Sequence, residues 1–183
     1  QARSLFVEGV AHFEAQRLDD AERSFVASLQ HLPGRVSTRI NLAATRLLLG
    51  RVTDALTELE AVLAAEPQHV DAWCHRATAL ADLGRDAESL DCADRALSLD
   101  PDSGSATFRR GHALERLRRF DEAQAAFERV VMLQPQDADA WHRLGLLQYR
   151  QGKLAEALAS QDRVLALVPA HAAACSQRGS LLQ

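Results

Sequence analysis

The stretch Val70–Ser103, V-D-A-W-C-H-R-A-T-A-L-A-D-L-G-R-D-A-E-S-L-D-C-A-D-R-A-L-S-L-D-P-D-S, decides the fold. It opens with an aromatic at Trp73, carries a small residue at Ala77 and turns at Gly84-Arg85-Asp86. A second apolar run follows and stops at Pro101. The same order of residue types recurs every 34 residues, and all five prolines (Pro33, Pro67, Pro101, Pro135 and Pro169) stand in that one register. A fixed period of this length implies stacked helical hairpins, each burying its apolar face against its neighbours.

The register divides the chain into repeats at 2–35, 36–69, 70–103, 104–137 and 138–171. Residues 172–183 read as the first helix of a sixth repeat or as a capping helix, so 1–183 reads as a single array. Each repeat predicts a helix A over about positions 2–14 and a helix B over about positions 18–31. Position 8 is only ever Gly or Ala: Gly9, Ala43, Ala77, Gly111, Gly145 and Gly179. Gly weakens a helix interior by about 1 kcal/mol relative to Ala, so its recurrence predicts close approach of helix B. Ala21, Ala55, Ser89, Ala123 and Ala157 at position 20 supply the matching small site. Between the helices, Arg17, Arg51, Arg85, Arg119 and Lys153 are followed three residues on by Asp20, Asp54, Glu88, Glu122 and Glu156. These charges complement helix ends and are structural.

Composition narrows the class. Hydrophobic residues make up 47% of the chain and aromatics 5%, which suits a core of Leu, Ala and Val. A net charge of −4 argues against binding nucleic acid through phosphate contacts. No apolar run approaches the ~18 residues that span a bilayer, so no membrane insertion is expected. Cys74, Cys92 and Cys175 lack C-x-x-C spacing and read as reduced thiols of a cytoplasmic protein. A Cys74–Cys92 disulfide would tie the two helices of one repeat, and only geometry can decide it.

A small residue at 8, Gly near 15, Ala at 20, an aromatic at 24, Pro at 32 and Trp at 4 in two repeats together resemble the tetratricopeptide repeat family. The resemblance covers nearly the whole chain. Departures are Arg39 and Thr107 at position 4, Ser89 at 20, and Leu59, Ala93 and Gln161 at 24. They imply locally weaker packing. The family implies an all-α, right-handed superhelical solenoid whose A helices line a concave groove that takes peptides or protein segments, usually at positions 2, 5, 6, 9, 12 and 13.

Carried onto this chain, those positions imply a graded groove. Its N-terminal end is mostly apolar, with Phe6, Val10, Phe13, Ile40, Ala44, Leu47 and Leu48 beside Asn41. Asp71, Cys74, His75, Thr78 and Asp82 follow. The C-terminal end is on balance basic, with Phe108, Arg109, His112, Arg116, His142, Arg143, Leu146, Tyr149 and Arg150 against Glu115 and Asp139. The implied partner is a protein or peptide segment with an apolar part and an acidic part, because Arg pairs bidentately with carboxylates. Pairing of Arg109 and Arg143 with Glu115 or Asp139 is the competing reading. The family's carboxylate clamp for chaperone C-termini is not matched. Phe6, Val10, Asn41, Asp71 and His75 in one frame, and Cys74, Thr78, Arg109, Asp139 and Arg143 in the other, each place Asp where the clamp needs Lys.

No phosphate loop, nucleophile elbow or H-E-x-x-H helix occurs, and the seven histidines are scattered. No catalytic residue, metal site or cofactor is expected, and on these residues the chain is not an enzyme. The reading is a protein-interaction scaffold. The alternative is the repeat region of a larger enzyme, such as a glycosyltransferase resembling the O-linked N-acetylglucosamine transferases, with the groove recruiting substrate. Self-association through the apolar first repeat is a further expectation.

Overall fold

The computed structural model describes residues 1–181, so residues 182 and 183 of the expected last helix lie outside the described residues. Among the described residues the ordered elements are all α-helices. Helices α1 (Ala2–Glu14), α2 (Leu18–His31), α3 (Val36–Leu48), α4 (Val52–Ala65), α5 (Val70–Asp82) and α6 (Asp86–Leu99) make up a first compact unit, Gln1–Asp100. A second, Pro101–Gln183, contains α7 (Gly104–Arg116), α8 (Phe120–Leu133), α9 (Ala138–Arg150), α10 (Leu154–Leu167) and α11 (Ala172–Leu181). Odd-numbered helices are A helices and even-numbered ones B helices. Within each unit, successive hairpins pack on one another.

Helices begin one residue earlier than the periodicity predicts, and the caps explain the shift. Position 34 is the N-cap of the next A helix. The His69 Nδ1, Ser103 hydroxyl and Asp137 carboxylate accept from the amides of Ala72, Ala106 and Ala140 at 3.4, 3.2 and 2.9 Å. Each satisfies one of the orphan donors of a first turn. The basic residue at position 16 is the N-cap of helix B, but its side chain makes no capping bond.

The turn between A and B is the same in every complete hairpin. The amide of position 16 reaches back five residues, as in Arg17 to the His12 carbonyl and Lys153 to the Gln148 carbonyl, both at 2.9 Å. This closes a Schellman motif, which needs a left-handed residue just before it. Gly50, Gly84 and Gly152 supply it at φ 73–77°, and Gln16 and Arg118 adopt it at φ 57° and 63°.

Gly9, Gly111 and Gly145 do meet a close neighbour, but it is a side chain at position 24 rather than the backbone of helix B; Gly179 meets nothing within 4 Å. A Cβ on Gly9 would lie 2.6 Å from the Phe25 ring, and one on Gly111 3.1 Å from the Phe127 ring. Where position 24 is Leu59 or Ala93, position 8 is Ala43 or Ala77, and all four are fully buried. In these four repeats a ring at position 24 stands over Gly at position 8, and a smaller residue over Ala. The Ser89 hydroxyl, at a site otherwise held by Ala, donates to the buried Ala77 carbonyl at 2.8 Å.

The departures at position 4 also find a role. Trp73 and Trp141 donate their indole N–H to the Pro67 and Pro135 carbonyls at 2.9 and 3.1 Å. Arg39 does the same from Nε to Pro33 at 3.1 Å, and where Thr107 leaves the place empty, Arg129 donates to Pro101 at 2.7 Å. Arg39 and Arg46 share Glu58, and Arg46 and Arg51 share Glu22, so a chain of ion pairs ties α2, α3 and α4 together. Weaker packing at Arg39 is thus offset by polar pairing. All three cysteines are free thiols, so the Cys74–Cys92 bridge is not formed. Among the described residues no helix is long and apolar enough to cross a membrane.

Candidate functional site

In the second unit, Phe108, Arg109, His112, Asp139, His142, Arg143 and Leu146 line a cavity of about 400 Å³. Every one comes from α7 or α9, at repeat positions 2, 5, 6 or 9. These four positions share one face of a helix, since residues three and four apart are neighbours on its surface. The other sides of the same helices are fixed by packing, with Ala113, Leu114, Ala140 and Leu147 fully buried, and Phe108 at the cavity edge meets Phe127 edge-on at 5.5 Å. The Ser103 and Asp137 caps start both helices in register.

Charge in the cavity is only partly free to meet a ligand. The Arg143 guanidinium donates to the Glu115 carboxylate at 2.8 Å, the pairing that competes with ligand binding. Arg109 lies 5.4 Å from the Phe108 ring centre, a cation–π distance. Burial, and then the Arg143 guanidinium, hold the His112 imidazole below its ordinary pKa; Glu115 opposes this and Arg116 and Arg109 reinforce it.

His142 is held from behind. Its Nδ1 donates to the Gln161 Oε1 at 3.0 Å, and the Gln161 Nε2 donates back to the His142 carbonyl at 3.4 Å. Its ring lies 4.9 Å from that of His171, whose Nδ1 caps α11 by accepting from the Ala174 amide at 3.1 Å. Gln161 is fully buried at the position-24 site filled by Phe25 and Phe127 elsewhere. Beside it, the buried Ser160 hydroxyl donates to the Gln148 Oε1 at 2.7 Å. Gln161 reads in the sequence as a mere departure from an aromatic. A polar residue at a core position that is Phe, Leu or Ala in the other repeats is the signal that could have found it.

Other expected site residues lie elsewhere. Phe6 packs on Phe25 at 6.0 Å and is covered by Arg35 at 4.2 Å. Val10 and Phe13 pack on the same cluster, Ile40 joins the core with Ala43 and Leu59, and Cys74 is buried. The apolar end expected of the groove is therefore largely spent on the first unit's own packing, with Asn41 and Thr78 half-exposed and the Thr78 hydroxyl bonded to the Cys74 carbonyl. Arg150 turns to the Phe120 ring at 5.2 Å, while Arg116 and Tyr149 are exposed outside the cavity lining. A wider recess of about 600 Å³ follows Glu66–Val70 in the first unit. Its Pro67 carbonyl is taken by Trp73 and its His69 Nδ1 by a cap, so it gathers no convergent charge. No group of three or more metal-ligating side chains converges among the described residues.

Comparison with known proteins follows this geometry. A family model described as tetratricopeptide repeat matches residues 41–104 and 108–172. The chain belongs to the tetratricopeptide repeat family. Among solved structures, TTC0263, a thermophilic tetratricopeptide protein of Thermus thermophilus, superposes with a TM-score of 0.86 at 23% identity, covering 100% of this chain and 99% of that one. PilF of Pseudomonas aeruginosa gives 0.84 at 14% identity over 98% and 88% of the two chains. YrrB, described as a tetratricopeptide protein with an unusual peptide-binding site, gives 0.68 at 20% identity over 98% and 92%. No curated protein matches the sequence. The tetratricopeptide array is a helical solenoid, and its fold is that of a protein-interaction scaffold.

Proposed function

We propose that this tetratricopeptide array binds an extended segment of a partner protein along the exposed faces of its A helices, with the α7–α9 cavity as its best-formed anchor site. One observation carries the reading. Seven residues from two successive A helices, all at positions 2, 5, 6 or 9, converge on one cavity. Phe108 and Leu146 offer it apolar surface, and Arg109, Arg143, His112 and His142 offer donors. Five of the seven lining residues carry a charge or an imidazole, so the cavity suits a polar or charged group of the segment, with Phe108 and Leu146 flanking it. A structural neighbour, YrrB, is described as having a peptide-binding site, which supports the class of ligand.

Site-specific photocrosslinking tests it. A benzophenone amino acid in place of Arg109 should capture a partner segment in the source cell. The same group in place of Met132, 81% exposed on α8, should not. Equal capture from both positions, or capture from Met132 alone, would move the site off the A helices.

A further inference from the structure

The permanent charges at the α7–α9 cavity nearly cancel, so its histidines weigh heavily in what it attracts. Arg109 and Arg143 of the lining and the nearby Arg116 contribute three positive charges, and Asp139 with the Arg143-bound Glu115 contributes two negative ones. What remains is His112 on α7 and His142 on α9. The Nδ1–H of His142 is committed to Gln161, so only its Nε2 faces other partners. A neutral imidazole so held presents a lone pair there, which repels a carboxylate; only the imidazolium has a second N–H to donate.

We propose that this cavity is a proton-gated carboxylate site: it takes an Asp or Glu side chain of the bound segment together with a proton carried on its histidines. The inference rests on the A-helix binding reading above and adds the chemistry of the ligand and its control. Protonation adds positive charge to the lining and supplies the donors that a carboxylate accepts. Acid-bearing segments are therefore held under mild acid and released as pH rises.

The groups facing the two rings set the direction. Arg109, Arg116 and Glu115 face His112 from α7, and Arg143 faces it from α9. Asp139 and Arg143 share the lining with His142 on α9, Gln161 meets it from α10, and His171 stacks on it at the start of α11. Burial, and then three guanidiniums against one carboxylate, disfavour the proton on His112 in the free chain. A folded chain that disfavours the proton on His112 loses stability as pH falls through and below about 6.5. An incoming carboxylate reverses that preference. By linkage, binding takes up the proton that folding excluded, and affinity changes at most about tenfold per pH unit for each proton taken up.

The test uses the full chain, ¹⁵N-labelled, at fixed ionic strength. Three pools of end-capped octapeptides would be titrated at pH 5.5 and 7.5: Leu with Asp and Glu, Leu with Asn and Gln, and Leu with Lys. Carboxylates stay ionised at both pH values. The acidic pool should shift the Phe108, Arg109, His142 and Arg143 amides and bind about tenfold more tightly at the lower pH. His112→Gln should remove part of that pH dependence, and the imidazole resonances of His112 should titrate at higher pH when peptide is present. Equal binding of the amide pool, without pH dependence, would overturn the proton-gated site and leave A-helix binding intact. Shifts confined to B helices would overturn both. An unmoved His112 titration in the presence of bound acidic peptide would also overturn the proposal, whatever the variant's stability.

Discussion

A glycine in the middle of a helix reports on what stands over it, and the four position-8 glycines do not stand under the same thing. Over Gly9 and Gly111 are the rings of Phe25 and Phe127; over Gly145 is the amide of Gln161, close enough that an added Cβ would collide with Nε2; over Gly179 nothing lies within 4 Å. An aromatic ring at 2.6 Å has nowhere to go inside a closed hairpin, whereas one at 3.1 Å needs a shift of a few tenths of an ångström. Gly9→Ala should therefore destabilise the first hairpin by about 1–3 kcal/mol, the usual range for overpacking, and Gly111→Ala should cost clearly less. Urea unfolding of the two variants decides it. Equal stabilisation of both variants, by about 1 kcal/mol, would mean that the rings shift freely and that intrinsic helix propensity, not packing, sets the outcome. The collision at Gly145 has a different consequence, because displacing the Gln161 amide would free the His142 Nδ1 that it holds.

At the scale of elements, the helices that form the cavity depend on caps that periodicity alone does not reveal. Ser103 starts α7 and Asp137 starts α9, each accepting from the amide three residues on. Asp137→Ala should cost about 1 kcal/mol and fray the turn that carries Asp139 and His142, while Asp137→Asn, which keeps an acceptor, should cost much less. Amide hydrogen exchange at Ala140 and Trp141 reads the fraying directly; unchanged protection in the Ala variant would show that tertiary packing alone holds the turn. Much of this level was legible. The five prolines, the recurring small residues and the basic–acidic pairs place every hairpin. Two of those pairs, Arg85–Glu88 and Arg119–Glu122, form as bidentate contacts that hold both carboxyls below the usual carboxylate range. What was not legible was partnership across helices. In four repeats position 8 is Gly under a ring at position 24 and Ala under a smaller residue, Arg39 donates where Trp73 and Trp141 do, and Phe6 and Ile40 are drawn into the core. A repeat pattern averages over neighbours, and each of these outcomes depends on a neighbour that differs between repeats.

For the whole molecule, net charge is a poor guide to what one face attracts. The chain carries −4, yet the permanent charges at the cavity are three guanidiniums against two carboxylates, with two imidazoles beside them. Charges farther from the cavity than a Debye length, about 8 Å at physiological ionic strength, are largely screened, so the local sign governs contact. This yields a prediction with two arms. At pH 5.5 the affinity for the acidic peptide pool should fall as salt is raised from 0.05 to 0.5 M, because an imidazolium–carboxylate contact is being screened. At pH 7.5, with about one net permanent charge at the cavity, the same salt change should weaken binding clearly less. Isothermal titration at both pH values measures the two slopes. A salt effect of equal size in both arms would mean that Arg109 and Arg143 meet the ligand directly, with the Arg143–Glu115 pair broken on binding. No salt effect in either arm would leave Phe108 and Leu146 as the binding surface, and would make the segment that this array grips an apolar one.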